Sequence, residues 1–129
     1  MKINKLEIKN YKNCKYKNLD IFLSLEQTIK KLMIEENSLE ALVFVLYGQD
    51  DQEYQQNSES MYISIEFEFD FSTYKVVREF NSENIKSYAR IFKNNEIMAN
   101  GIIQTTISVT TLLQMNMEIF IEKIKSFCN

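Results

Sequence analysis

The sequence contains no proline and no histidine, and only two glycines and two cysteines. The lack of histidine removes the commonest general base near neutral pH and leaves carboxylates and lysines as the available acid–base groups. Cys14 and Cys128 stand near opposite ends of the chain and form no Cys-x-x-Cys pair, so zinc binding is unsupported and two free thiols are expected. The absence of proline beside abundant Lys, Asn, Ile and Glu is a composition bias that carries no mechanism. Long apolar runs are missing too: the longest, Ala41 to Tyr47, is far too short to cross a bilayer. The opening Met1 to Glu7 has neither the apolar core nor the cleavage site of a signal peptide, so a cytoplasmic protein without membrane contact is expected.

What is present suits one globular domain over residues 1–129, with 45% hydrophobic residues and a net charge of −3. The charge is unevenly spread. Residues 1–18 hold six lysines (Lys2, Lys5, Lys9, Lys12, Lys15 and Lys17) against Glu7 alone. These lysines are the candidate contacts for phosphate or DNA. The overall acidity opposes long-range attraction to nucleic acid, and lysines on the solvated face of a strand pair are the reading preferred here.

The stretch Ser38 to Gly48 is an apolar helix-like run closed by glycine, and the other elements can be placed around it. Ile3, Leu6, Ile8 and Tyr11 predict a strand with a register irregularity. A turn over 10–18 leads to a second strand over 19–23. Ser24 with Gln27 has the pattern of a helix start. From there two readings compete: one helix over 25–47, or a short strand over 28–34, a loop at 35–37 and a helix over 38–47. Residues 49–60 read as a mobile acidic loop. Asp50, Asp51 and Glu53 within it lack the spacing and glycine of a calcium loop, so no metal site is expected. Met61 to Phe69 alternates apolar and polar residues, and 74–80 returns as its hairpin partner. A strand over 88–93, a turn at Asn94-Asn95 and a strand over 96–99 complete a meander. Helices follow, the last capped by Asn116 and running from Met117 to about Phe127.

In this order the chain resembles the N-terminal ATPase lobe of the SbcC-type DNA-repair ATPases, and more loosely their SMC and RecF relatives. The resemblance lies in four segments: 2–13, similar to the family's opening strand and Asn-aromatic-basic turn; 39–48, similar to the helix after its phosphate loop; 65–69 with 74–80, similar to its hairpin; and 89–99, similar to its following strand pair. It implies an α+β fold, an antiparallel or mixed sheet of about six strands packed on a central helix with helices at the C-terminus.

The departures from the family are as informative as the matches. A phosphate loop needs glycines, a lysine and a Ser/Thr before its helix. Aligned on the Leu39-Glu40-Ala41-Leu42 helix, Ile34 and Glu35 take the places of the family's Gly and Lys, and Glu36 that of its Mg²⁺-binding Ser/Thr. Two carboxylates then stand where phosphate oxygens would bind, which reverses the local charge. The family's signature and Walker B motifs would lie beyond residue 129. Lys12, Asn13, Glu35, Glu36, Asn37 and Ser38 are therefore expected to be a vestigial nucleotide site. No cofactor, no catalysis and no ATP binding of the family type are expected; self-association or a protein partner is, with DNA at most a weak ligand. A lobe that shares a sheet and interface with a second lobe in the family leaves apolar surface needing cover when it stands alone.

Overall fold

The computed structural model describes residues 1–48 and 59–128. Residues 49–58, with Asp50, Asp51 and Glu53 and most of the expected acidic loop, lie outside the described residues. The elements are β1 (Lys2–Tyr11), β2 (Cys14–Ser24), α1 (Leu25–Leu32), α2 (Ser38–Tyr47), β3 (Met61–Phe69), β4 (Ser72–Asn81), β5 (Lys86–Lys93), β6 (Glu96–Asn100), α3 (Ile102–Leu113) and α4 (Met117–Cys128). The strands form one sheet in the order β2-β1-β3-β4-β5-β6. Every neighbouring pair is antiparallel, so the fold is α+β, a six-stranded antiparallel sheet with four described helices, two of them C-terminal. The mixed alternative falls away because the chain leaves the sheet after β2 and comes back as β3 running opposite to β1. Among the described residues no helix is long and apolar enough to cross a membrane.

Alternation decides which side of the sheet is dry. In β3, Met61, Ile63, Ile65 and Phe67 are buried while Tyr62, Glu66 and Glu68 face outward, the period of two set by the pleat. Register turns this into cross-strand rows: Leu6, Ile65, Val76 and Ile91 form one, and Ile8, Ile63, Arg78 and Ala89 the next. Against this face lies α2, apolar on all sides after its first turn and buried at Ser38 and from Ala41 to Tyr47, touching β1, β3, β4 and the other three described helices. A helix without a polar face has nowhere stable to go except the interior.

Arg78 is the polar exception in the second row, with 3% of its surface exposed. Its Nε donates to the Val45 carbonyl at 2.8 Å, and Nη2 donates to the Leu46 carbonyl at 3.2 Å and to Thr106 Oγ1 at 3.0 Å. Thr106 Oγ1 in turn donates to the Tyr47 carbonyl at 2.9 Å. These carbonyls are the last of α2, where no intrahelical donor remains and the helix dipole is negative, so a guanidinium satisfies both demands. Gly48 ends the helix at φ +71°, its N–H bonded to the Phe44 carbonyl at 2.7 Å. A Cβ there would lie 3.0 Å from Arg78 Nη1, so the absence of a side chain also makes room for the guanidinium.

The start of α1 follows the sequence expectation: Ser24 accepts the Gln27 N–H at 3.2 Å. Neither reading of 25–47 is complete. The chain is helical over Leu25–Leu32, turns, and starts a second helix at Ser38, so the short strand at 28–34 is replaced by helix and the continuous helix is broken. After α1 ends at Leu32 the chain turns over 33–36, and Asn37, the N-cap of α2, is held at φ +65°, a left-handed conformation that a continuous helix excludes. The expected 10–18 turn shrinks to Lys12-Asn13, because Cys14 to Asn18 already pair with β1. The β1 irregularity falls between Ile3 and Lys5, where Ile21 and Phe22 bulge opposite one residue. The β3–β4 turn is two residues, Asp70-Phe71, and Asn94-Asn95 turns with both φ positive as its sequence predicts. Asn116 Oδ1 accepts the Ile119 N–H at 2.9 Å and caps α4.

Tyr47, the last residue of α2, stacks at a tilt on Phe120 and donates its hydroxyl to the Met115 carbonyl at 3.0 Å. Burial pushes its phenol up to about 12 from the ordinary 10.0. Below the ordinary value both folded and unfolded chains keep the proton, and the stabilisation is full. Above it the unfolded chain ionises first and stability is lost until the folded phenol also ionises, on the order of 2 kcal/mol in all. Urea denaturation followed across alkaline pH is expected to show this fall in the wild-type chain and a shallower one in Tyr47→Phe. Arg78→Met is expected to cost about 2–4 kcal/mol, since it strips the carbonyls of Val45 and Leu46 of their buried donor. Gly48→Ala is expected to cost about 1 kcal/mol or more from its positive φ and the close guanidinium.

Candidate functional site

The opposite end of α2 opens onto the surface. Between Leu32 and Ser38 the chain reverses in short hydrogen-bonded steps: Glu35 N–H to the Leu32 carbonyl at 3.1 Å, then Ser38 N–H to the Glu35 carbonyl at 3.1 Å. Asn37 occupies the N-cap position without a side-chain cap bond, and its carbonyl accepts the Ala41 N–H. The turn, the first half of α2, the β1–β2 turn and α4 enclose a groove of about 600 Å³. Its polar wall is Lys12, Glu35, Glu36, Asn37 and Glu40, and Leu39, Val43, Ile121 and Ile124 supply apolar lining.

The charges in this wall are coupled to one another. Lys12, in the β1–β2 turn at φ +51°, forms an ion pair with Glu40. Lys17, on β2, reaches Glu35 Oε2 at 3.3 Å, the Glu36 carbonyl at 3.0 Å and Ser38 Oγ at 3.4 Å. Ser38 is fully buried, so its hydroxyl is turned to Lys17 beneath the groove. The lysine charge nearest the start of α2 thus neutralises the carboxylate nearest it. An incoming anion at this helix start meets three carboxylates, Glu35, Glu36 and Glu40, against two lysines, an excess of one negative charge. Like unit charges at 4 Å repel by about 1 kcal/mol in water and about 4 kcal/mol at a surface-like effective dielectric.

Of the expected vestigial site, Lys12, Glu35, Glu36 and Asn37 are brought to one groove. Ser38 lies under it, and Asn13 stays exposed in the β1–β2 turn. The six N-terminal lysines do not form one patch. Lys12 and Lys17 are drawn to the groove. Lys2 pairs with Glu68 at 3.7 Å, Lys5 stands between Asp20 and Glu66, and Lys9 stands between Tyr16 and Tyr62. Lys15 is exposed on β2. The outer face of β1 is thereby mixed in sign rather than basic.

Glu40, Ile121 and Ile124, and the place of Lys17 beside Glu35, escaped the sequence reading. Glu40 lies in the first turn of α2, and its pairing with Lys12 depends on the β1–β2 turn being brought to that helix start. The engagement of Lys17 with Glu35 depends on the β2 register and has no local signal. Ile121 and Ile124 come from a helix more than eighty residues away in sequence. Among the described residues no group of three or more His, Cys, Asp or Glu side chains is placed to hold a metal ion. Cys14 is buried and Cys128 exposed, and they are not bridged. Comparison with protein-family models finds no match to this chain, and no curated protein matches it.

Lys17→Met is expected to cost about 1 kcal/mol, because it leaves Glu35 and Ser38 Oγ without this donor, whereas Lys15→Met is expected to be near neutral. Parallel urea denaturation of the two variants measures the difference.

Proposed function

We propose that the chain is a non-catalytic interaction module related to the N-terminal lobe of an SbcC-type DNA-repair ATPase, and that it acts by binding itself or a protein partner. The observation that carries this reading is the charge at the start of α2. In a phosphate-binding lobe that helix start presents free N–H groups, a lysine and a hydroxyl to the phosphates. In this chain Ser38 N–H is taken by the Glu35 carbonyl, its hydroxyl is buried against Lys17, and Glu35 and Glu36 flank the approach. The arrangement of a hairpin, a buried helix and an antiparallel meander supports the N-lobe-like architecture. Helix α1 stands where the resemblance favours a strand, a departure from that architecture.

The same observations weigh against residual binding of nucleotide or DNA ends. Lys12 is held by Glu40, and Lys2 and Lys5 alternate with carboxylates. Calorimetric titration of Mg-ATP, and separately of a duplex end at low salt, is expected to give no saturable signal. Saturable ATP binding abolished by Lys12→Ala would overturn the proposal.

A further inference from the structure

From Ile97 to Met117, between Glu96 and Glu118, twenty-one consecutive residues carry no charge. The next longest such gap, Ala41 to Gln49, is nine residues and contains most of α2, whose burial accounts for it. Burial does not account for the longer one. On α3 only Thr105, Val109 and Leu113 are buried. The opposite side of the helix presents Ile103, 70% exposed, and Ile107, 58% exposed. With Thr111 they stand at successive spacings of four, one above another along the axis, and exposed Gln104 and Gln114 flank them. The helix therefore offers an apolar, charge-free stripe to its surroundings in a chain where about a quarter of all residues are charged.

Resting on the reading of the chain as an interaction module, we infer that this stripe is the self-association surface, with α3 of one copy packed antiparallel on α3 of a second around a two-fold axis. A partner bringing Lys, Arg, Asp or Glu to the stripe would desolvate that charge against isoleucine, and α3 itself supplies no counter-charge. A second α3 brings none, so the surface is self-complementary, as an isologous contact requires. Antiparallel pairing also sets the helix dipoles in opposite directions. The nearby sheet edge does not compete as the contact. Ala99 pairs with Ile91 and Ile97 with Phe92, so Met98 bulges out of register and interrupts the β6 edge that another strand would need.

Light scattering on the eluting full chain, across the micromolar range, tests the inference with Ile107→Asp and Ile107→Lys. The position is exposed, and unchanged thermal melting verifies that each variant remains folded. The wild-type chain is expected to be a dimer. Each variant alone is expected to dissociate at least tenfold more readily, a 1:1 mixture of the two to regain the dimer, and Phe71→Asp at the distant β3–β4 turn to leave it intact. A dimer indifferent to both Ile107 variants would overturn the α3 surface while leaving self-association in place. Variants that dissociate but do not recover on mixing would overturn the α3-to-α3 pairing. A wild-type monomer throughout would overturn the inference altogether, and the module reading would then stand or fall on the nucleotide titration, which does not involve α3.

Discussion

The Arg78 guanidinium, taken out of water at the carbonyl end of α2, is the constraint on which the interior depends. Burying a cation is costly unless every side of it is met by acceptors, and the end of a helix is one of the few places in a core that offers carbonyls already in need of donors. Because Arg78 is an inward residue of β4, the requirement fastens the sheet to the helix at one point and in one direction. Thr106 extends the connection to α3 by bonding both Arg78 and the Tyr47 carbonyl. Glycine at position 48 is part of the same arrangement, since it allows both the left-handed turn and the approach of the guanidinium.

With its C-terminal end held in this way, α2 must deliver its N-terminal end to the surface beside the β1–β2 turn. That geometry gathers Lys12, Lys17, Glu35, Glu36 and Glu40. The pairing within the group gives the site its character. Positive charge that would otherwise attract phosphate is engaged by carboxylates of the same chain, and the lysines of the outer sheet face sit among Glu68, Glu66 and Asp20. The groove and the α3 stripe are thus two surfaces of different chemistry. One is polar, with its lysines engaged and one carboxylate in excess; the other has no charge of its own. The inferred self-association places the working contact on the second.

Much of the fold was legible because local signals and tertiary demands agree. The alternation of 61–69 predicts a strand with one dry face, Asn94-Asn95 predicts its turn, and Ser24 and Asn116 predict helix starts that their side chains do cap. Legibility failed over 25–37, where an amphipathic pattern runs without proline or glycine to interrupt it. The break there is a turn over 33–36 closed by a left-handed Asn37, a backbone state that asparagine tolerates without announcing it. The candidate site was half legible for a related reason. Glu35, Glu36 and Asn37 are contiguous and Lys12 was marked by its turn, whereas Lys17 reached the site through strand register and Ile121 and Ile124 through helix packing.

By itself, then, the sequence determined the element types wherever a period or a cap was present, the apolar helix that had to be buried, and the two adjacent carboxylates that precede it. Only the tertiary structure decided that all six strands run antiparallel, that the N-terminal lysines divide between a groove and a mixed-sign face, and that Arg78 belongs inside. These depend on which distant residues become neighbours, and a buried cation in particular has no local signature: from position 78 alone, an arginine on a strand reads as solvent-facing until the end of α2 is placed beside it.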